Sequence, residues 1–569
     1  MITRLKNVRL VDGIHASSKP TEIYLVGDRL ARNIDPGSRI DADYNMDGHV
    51  VMAGGIDLHT HIGGGKVNLA RMLWPDRSGW SERLSGVGGR DKTKRLEDTK
   101  PWLAPLSAPV PGTWETGRRY LQMGYTACFE PAMLPANARH SHAEMQDTPW
   151  LDTGGYAVLG NDRMLLSMLA NRASQQEVNA YVAWMVASSA AMAIKVVNAG
   201  GIDAFKFNQR ALNVDEVHPR SGIAPRDILW SLATAAEELG LAHPIHVHCS
   251  NLGTPGNIAA TLATLDAVEG RRIHLTHAQY HCYGNEGPHG FSSAADELSD
   301  RVNRSRHISI DVGQILFGQT ITLSADTMHQ FANRKLATPR KGIFQDLECQ
   351  AGCGVLPFRY KESQYVHGLQ WAIGLELFLR IQDPTRVFLT TDHPNGGPFT
   401  GYPHLIRLLM DYDFRMSIFE RLHPEVRNHS SLPTLKREYR LDEIAAMTRL
   451  GPARALGLHQ RGNLMAGSVA DVVVYRNDSN AETMFANPVM VFRKGELVLR
   501  DGVILRDSPK SVFVSEFTGK REAIAWGLDR RNRERWEKQY GYSPWVTAID
   551  PDEFAESGAQ IEAAGWFQG

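Results

Sequence analysis

Eight apolar runs of strand length, separated by segments long enough for helices, constrain the fold of this chain most strongly. Alternating strands and helices are typical of a parallel sheet covered by its helices. Eight repeats indicate an α/β fold, a closed (β/α)₈ barrel of the TIM type. The predicted barrel strands 1 to 8 are residues 56–61, 125–129, 156–159, 194–197, 245–248, 273–277, 308–312 and 387–391.

The two ends of the chain differ from this alternation and show short strands joined by turns. The first 54 residues contain strand patterns at 3–11, 23–26 and 29–31, and similar patterns recur at 462–475, 489–494 and 496–500. We therefore expect a small β-sandwich built from residues 1–54 and 456–510, a barrel over 55–455 and a C-terminal extension over 511–569. Residues 65–115, rich in Gly, Pro, Arg and Trp, are predicted to form a long functional loop.

Composition excludes several classes of partner. The chain has 62 Lys and Arg against 63 Asp and Glu, so it has no overall field to hold nucleic acid or an anionic membrane. A small-molecule substrate is the better hypothesis. The five cysteines form no CxxC pair, which is typical of reduced thiols in a protein without a disulfide frame. Cys349 and Cys353 alone supply too few ligands for an iron–sulfur cluster.

The sequence contains no segment typical of a signal peptide or of a membrane span. The N-terminus is charged within four residues and has no apolar stretch behind it, unlike a signal peptide. The longest uncharged stretch, residues 178–194, contains Asn179 and two serines, so a core helix leading into a strand explains it better than a membrane span. We expect a cytoplasmic protein.

Residues able to bind metals recur where the predicted barrel strands end. His59 and His61 lie two positions apart, and residues two apart on a strand point to the same face. A lone pair of this kind is more often two ordinary histidines. Four further candidates are distributed over strands 4, 5, 6 and 8, toward the end of the barrel where such enzymes place their active sites: Lys195, His248, His277 and Asp392. Together the six residues predict a metal centre.

Neighbouring residues compete for these roles. His246 is expected to face away from His248 and to be structural, and His274 to pack near the start of its strand. His281 and His393 lie just beyond ligand positions and could orient the substrate or the ligands. Lys206, in Phe205-Lys206-Phe207, is the chief rival of Lys195, which we prefer because it ends an uncharged run as a barrel strand would.

The order of these residues resembles the amidohydrolase superfamily. The resemblance implies that His59 and His61 hold one metal ion, and that His248 and His277 hold a second. It also implies that Lys195, carboxylated by CO₂ to N6-carboxylysine, bridges the two ions, and that Asp392 binds metal and moves protons. The flanking residues 40–42, 48–55 and 451–454 are similar to the lead into and out of the barrel in that superfamily.

The physical logic of such a centre is consistent. A lysine ammonium would repel two cations, whereas its carbamate is an anion with two oxygens that can bridge them. Two Zn²⁺ ions are expected, and zinc lowers the pKa of bound water to roughly 7. Asp392 can accept a proton from that nucleophile and return it to the leaving nitrogen. The expected reaction is amide hydrolysis.

Longer motifs resemble one particular group within this superfamily. Residues 61–68, 195–201, 248–253, 277–284, 311–318 and 391–399 resemble the A subunits of formylmethanofuran dehydrogenase and of the formyltransferase/hydrolase complex of methylotrophs. This implies hydrolysis of formyl-methanofuran or formyl-methylofuran to formate and the free amine. In archaeal-type complexes it implies the reverse reaction, the condensation of formate with the amine. It also implies a formyltransferase subunit together with further subunits as partners, one of which performs any redox chemistry.

Substrate contacts and two alternatives complete the predictions. Lys66, Asn251, His393 and Asn395 follow ligand positions on strand-end loops and are predicted to bind the substrate. A cyclic-amide hydrolase of the dihydropyrimidinase type is one alternative. The other is a scaffold subunit that kept the fold without turnover, which the complete set of expected ligand types disfavours.

Overall fold

A computed structural model describes most of the chain: residues 1–14, 20–73, 110–201, 213–218, 221–324, 335, 354–550 and 552–565. The rival Lys206 lies outside these residues. So does most of the predicted loop over 65–115, although its first part forms the helix Gly65–Leu73 rather than a loop.

Eight parallel strands overlap the eight predicted ones. They are Gly55–Asp57, Tyr125–Met133, Asp152–Val158, Ala193–Val197, Ile245–His248, Ile273–Leu275, Ile308–Asp311 and Val387–Phe388. Each pairs with the next in chain order. Beyond the strand ends, Thr60 and His393 form a parallel bridge, and His61 N donates a hydrogen bond of 2.9 Å to His393 O. The bridge joins strands 1 and 8, and the predicted barrel is confirmed.

The barrel strands are buried on both faces because helices cover them outside and side chains fill them inside. Strand 4, Ala193–Val197, is buried at every position. The uncharged stretch before it forms the helix Gln175–Ser188, as predicted, and that helix begins with a capping box between Ser174 and Glu177. Further helices of the barrel region are Thr113–Gln122, Ala138–Gln146, Arg163–Ala170, Pro225–Glu238, Ile258–Ala267, Ala295–Arg304, Tyr365–Arg380, Tyr402–Met410, Tyr412–Phe419, Leu441–Ala445 and Gly451–Ala455.

Strands from the two ends of the chain form one nine-stranded sheet. His49–Ala53 pairs antiparallel with Val472–Arg476, which places Val51 opposite Val474. Apolar side chains from both ends form a buried cluster of their own. The remaining strands are Ile2–Leu10, Thr21–Val26, Arg29–Ala31, Ala42–Asn45, Pro488–Arg493, Glu496–Arg500 and Val503–Ile504, and the helix Ala481–Ala486 lies beside them in sequence. The exact domain boundaries stay a prediction.

The C-terminal extension adds two strands to the barrel sheet. Ser511–Ser515 meets barrel strand 3, with Val512 opposite Thr153, and Gln560–Ala564 pairs parallel with it. Between them lie the helices Lys520–Leu528, Arg530–Tyr540 and Asp552–Glu556. A hairpin of Gly318–Ser324 and Gly354–Tyr360 follows barrel strand 7. Among the described residues, no helix is long and apolar enough to cross a membrane.

Candidate metal centre

The ends of barrel strands 1 and 8 bring three predicted ligands together. His59, His61 and Asp392 each offer a ligand atom, and these atoms lie within 4.8 Å of one another. His59 Nε2 is 2.9 Å from Asp392 Oδ1, and His61 Nε2 is 3.5 Å from the same oxygen. All three side chains are buried. The geometry follows from the closure of the barrel, which sets these two strands side by side.

A second group of donors lies at the ends of strands 5 and 6. His248, His277 and His281 also place ligand atoms within 4.8 Å of one another. The rings of His59 and His277, with centroids 5.6 Å apart, connect this group to the first. Nδ1 of His277 is buried and has no hydrogen-bond partner among the described residues. His281, expected only to orient its neighbours, thus lies where it could itself be a ligand.

Lys195 lies close enough to both groups for its charge to act on His59 and on His277. It is 3 % exposed on strand 4, where its register partner on strand 5 is His246. Burial lowers the pKa of Lys195 to about 7, against the opposing effect of Asp311 and Asp392. The neutral amine, which is the form that reacts with CO₂, is therefore accessible near neutral pH.

Electrostatics of the centre favour added positive charge. Burial opposes ionisation of Asp392, but His277 and His59 outweigh it and hold the pKa of Asp392 well below its usual range. Burial likewise opposes protonation of His61, yet Glu130 and Asp392 raise its pKa to about 9. Imidazole and carboxylate donors at these distances are the ligands that zinc binds in proteins. The residues present therefore fit two divalent cations.

Two carboxylates that the sequence interpretation did not assign support the ligands. Glu130 Oε1 is 2.8 Å from His61 Nδ1, and Glu130 Oε2 accepts a hydrogen bond of 2.8 Å from Ile62 N. Asp311 Oδ2 is 3.1 Å from His274 Nε2, and Asp311 Oδ1 accepts from His277 N at 2.9 Å. Asp311 is the last residue of its barrel strand, and Glu130 directly follows the predicted strand 125–129, so the rule that identified Asp392 could have identified both acids.

The structure corrects the expected direction of His246. Its Nε2 lies 2.8 Å from His59 Nδ1, so His246 faces the barrel interior on the same side as His248. The prediction that it faces away was wrong, because residues two apart on a strand share a face. His274 packs beneath the centre, with its ring stacked on that of His246 at 4.5 Å.

The predicted substrate-binding residues lie in different settings. Half-buried Lys66 lines a cavity of about 320 Å³ with His61 and Glu130. Asn251 follows strand 5 with a φ of 62° and is half-buried. His393 is buried against Phe399, with ring centroids 4.8 Å apart.

Asn395 is engaged within the protein. Its Nδ2 donates a hydrogen bond of 2.9 Å to Asp392 Oδ2, and its Oδ1 accepts one from Leu323 N in the hairpin after strand 7. The nitrogen and the oxygen of this side-chain amide therefore both have partners within the protein. These contacts give Asn395 a role in orienting Asp392, and its contact with substrate stays a prediction.

Comparison with known proteins agrees with this geometry. Residues 44–505 match the model of the family described as "Amidohydrolase family". The A subunit of the formyltransferase/hydrolase complex Fhc of Methylorubrum extorquens is 39% identical over 574 residues, covering 99% of each chain. Protein FwdA of Methanocaldococcus jannaschii is 34% identical over 523 residues, covering 88% of this chain and 89% of that protein.

A solved structure is similar over the whole chain. It is the formyltransferase/hydrolase complex (FhcABCD) of Methylorubrum extorquens in complex with methylofuran. One of its chains matches with a TM-score of 0.86 and 36% identity, covering 99% of this chain and 100% of that one.

Proposed function

The chain belongs to the amidohydrolase family, and from this premise we propose that it hydrolyses the N-formyl group of formyl-methylofuran or formyl-methanofuran to formate and the free amine. The observation that carries the proposal is the 39% identity to the A subunit of the Fhc complex over 99% of both chains. The two adjacent groups of buried metal donors supply a chemical reason for the reaction.

The proposed centre holds two zinc ions. His59, His61 and Asp392 would bind one ion, and His248 and His277 the other, with His281 within reach. N6-carboxylated Lys195 would supply an anion between them, in place of an ammonium that two cations would repel. When bound, the ions would polarise the formyl carbonyl and lower the pKa of the attacking water.

Asp392 is the proposed proton carrier. Water adds to the formyl carbon, Asp392 takes the proton that the water loses, and the proton passes to the amide nitrogen as the carbon–nitrogen bond breaks. The products are formate and the free amine, so atoms and protons balance. Asn395 keeps Oδ2 of Asp392 occupied, which directs Oδ1 toward His59 and His61.

Lys66 is the proposed contact for the polar or anionic part of the substrate. It stands in the wall of a cavity that reaches His61 and Glu130, and Val67, Ala132 and Leu134 form an apolar part of the same wall. A furan ring next to the formamide fits apolar walls, and an anionic tail fits the ammonium. Asn251 and His393 remain predicted contacts at the strand ends.

We also propose that the chain works in the cytoplasm within a complex that contains a formyltransferase subunit together with further subunits. The solved relative is a complex named FhcABCD, and this chain covers 100% of the matching chain in it. The near balance of 62 basic and 63 acidic residues gives no reason to add nucleic acid or a membrane as a partner.

The test is formate release by the purified complex. Formyl-methylofuran and formyl-methanofuran are supplied in turn, formate is quantified, and zinc is measured per chain by elemental analysis. We expect formate release and two zinc ions. Dihydrouracil and hydantoin serve as comparison substrates: ring opening of either without formate release would establish the dihydropyrimidinase alternative. No turnover of any substrate by a zinc-replete complex would establish the scaffold.

A further inference from the structure

Three buried histidines form a row from the candidate metal centre into the barrel. His59 Nδ1 is 2.8 Å from His246 Nε2, and His246 Nδ1 is 3.0 Å from His243 Nε2. His243 Nδ1 is 2.9 Å from the carbonyl oxygen of Ala455, the last residue of the helix Gly451–Ala455. All three rings are buried, so their nitrogens form hydrogen bonds with these partners rather than with water. The row ends at a backbone atom.

That last atom sets the direction of the hydrogen bonds. A carbonyl oxygen only accepts, so His243 must carry a proton on Nδ1. Burial, with repulsion from His274, holds the pKa of His243 well below its ordinary value, and the ring therefore carries one proton. Its Nε2 is then an acceptor, which requires the proton of His246 on Nδ1. Nε2 of His246 is in turn an acceptor for Nδ1–H of His59.

From this geometry we infer that the Ala455 carbonyl, acting through His243 and His246, fixes the tautomer of His59 so that its Nε2 keeps a lone pair for a cation. Nε2 is the atom that lies 2.9 Å from Asp392 Oδ1, on the side of the candidate centre. The inference rests on the proposed metal centre, whose ligands do not include His243 or His246, and it makes both of them positioning residues. His246, His59 and Asp311 also place ligand atoms within 4.8 Å of one another, and the inference assigns His246 to the hydrogen bond with His59 rather than to a metal ion.

Other groups near the row agree with the same direction. Asp311 Oδ2 is 3.3 Å from His59 Nδ1, where a carboxylate also requires the proton on that nitrogen. Its distance to His246 Nε2 is 3.7 Å, too long for a hydrogen bond that would reverse the row. Thr276 Oγ1 contacts His59 Nδ1 and, as a hydroxyl, can accept there. Asp392 Oδ1, 2.9 Å from His59 Nε2, is the neighbour that would accept a proton from that nitrogen, and a bound cation would take the place of that proton.

The variants His243→Phe and His243→Gln test the inference in the full complex, with zinc affinity measured by competition against a chelator. Phenylalanine removes the acceptor for His246. We expect zinc affinity about 10–100-fold weaker, the usual effect of losing a group that orients a ligand. Glutamine should restore most of it, because its amide oxygen can accept from His246 and its NH₂ can donate to Ala455.

His142→Phe is the matched control. His142 is 2 % exposed and lies 3.1 Å from the carbonyl of Ser189, so it is an equally buried histidine bonded to backbone but outside the row. Its variant should bind zinc like the unsubstituted protein. Zinc affinity of His243→Phe equal to that of the control would overturn the inference.

A second measurement needs no variant and decides the matter if His243→Phe fails to fold. Neutron diffraction from the zinc-loaded complex locates the exchangeable deuterons on His59, His246 and His243. We expect one on Nδ1 of each ring; a deuteron on Nε2 of His246 would overturn the inference. Neither measurement uses a formyl substrate, so failure of the proposed reaction is seen separately.

Discussion

Two buried polar clusters of this protein use acidic side chains in opposite ways. In the candidate metal centre, Glu130, Asp311 and Asp392 meet histidines and one lysine, Lys195. A second cluster, here called the junction, lies where barrel strand 3, the nine-stranded sheet and the strand Gln560–Ala564 meet. It contains three acidic and three basic side chains: Asp152, Asp471, Glu562, Arg461, Arg493 and Lys494. Both clusters remove carboxylates from water, but only the junction supplies matching permanent charges.

The junction is neutralised by its own arginines. Arg461 Nη1 and Arg493 Nη2 each lie 2.7 Å from a different oxygen of Asp152, and Arg461 Nη2 is 2.7 Å from Glu562. Burial raises the pKa of Asp152, but Arg493 and Arg461 outweigh burial and hold it below its usual value. Arginine cannot lose its charge in a protein, so the cluster has no position left for a metal ion.

The comparison teaches how to tell a structural cluster from a functional one. Buried carboxylates need partners, and the junction has them as fixed guanidinium groups. The metal centre has imidazoles, which give up protons when a cation binds. We therefore treat a shortage of permanent positive charge among buried acids as the signature of a metal site in this protein.

The largest expected effect belongs to the metal centre. Asp392→Asn keeps the size of the side chain but cannot carry a proton near neutral pH. Formate release should fall by about 10²–10⁴-fold while the thermal midpoint changes little. Steady-state kinetics of the zinc-replete variant measure this. Turnover near that of the unsubstituted protein would remove Asp392 from the mechanism. The metal centre and the junction would then no longer differ in the function of their acids.

The next effect belongs to the junction and concerns stability alone. Arg493→Met should lower the free energy of unfolding by about 3–5 kcal/mol, because breaking a buried pair leaves a carboxylate short of a partner. Chemical denaturation measures it, and zinc content per folded chain should stay the same.

The double variant Arg493→Met/Asp152→Asn controls for lost packing. It should recover a large part of the stability, since the uncompensated charge is gone. No recovery would mean that the arginine acts through its volume rather than through its charge.

A smaller effect is expected where the metal centre depends on a supporting acid. Glu130→Gln retains an oxygen beside His61 Nδ1 but removes the negative charge. Zinc affinity should weaken by about 10–100-fold, as for other groups that orient metal-binding histidines. Isothermal titration against a competing chelator measures it, with Glu144→Gln, near the same cavity wall, as a comparison. Equal affinities in the two variants would count against the role of Glu130.

The smallest effect is a pH dependence of the junction. The pKa of Asp152 is lowered on folding, so its contribution to stability is fully present above its ordinary value of 3.8 and is lost as pH falls toward the folded value. The unsubstituted protein should therefore lose stability on acidification below about pH 4 more steeply than Arg493→Met/Asp152→Asn. The free energy of unfolding of both proteins is measured by chemical denaturation at each pH. If it fell by the same amount in both on acidification, the two arginines would not depress this pKa.

Periodicity in the sequence was sufficient to predict the barrel and the six ligand candidates. Barrel strands are apolar on both faces and end in polar residues, so their positions and their C-terminal side chains can be read locally. Glu130 and Asp311 carry the same local signal and could have been predicted. The direction of His246 was predicted wrongly although the two-residue period determines it.

The junction could not be predicted in this way. Asp152 and Arg493 are 341 residues apart, and nothing near either residue in the sequence indicates the other. Only the packing of three separate parts of the chain creates the pair. The same holds for His243 and Ala455, which are 212 residues apart.

The junction also bears on the synthesis of the chain. Ribosomes add about 5–20 residues per second, so Arg493 emerges roughly 17–68 s after Asp152, its partner 341 residues earlier. During that interval the carboxylate of barrel strand 3 has no guanidinium to meet, and burying it would be costly. The third strand of the nascent barrel must therefore keep this carboxylate in water, or protonated, until the arginines arrive. The last step of folding, on this view, is the closing of the junction rather than the closing of the barrel.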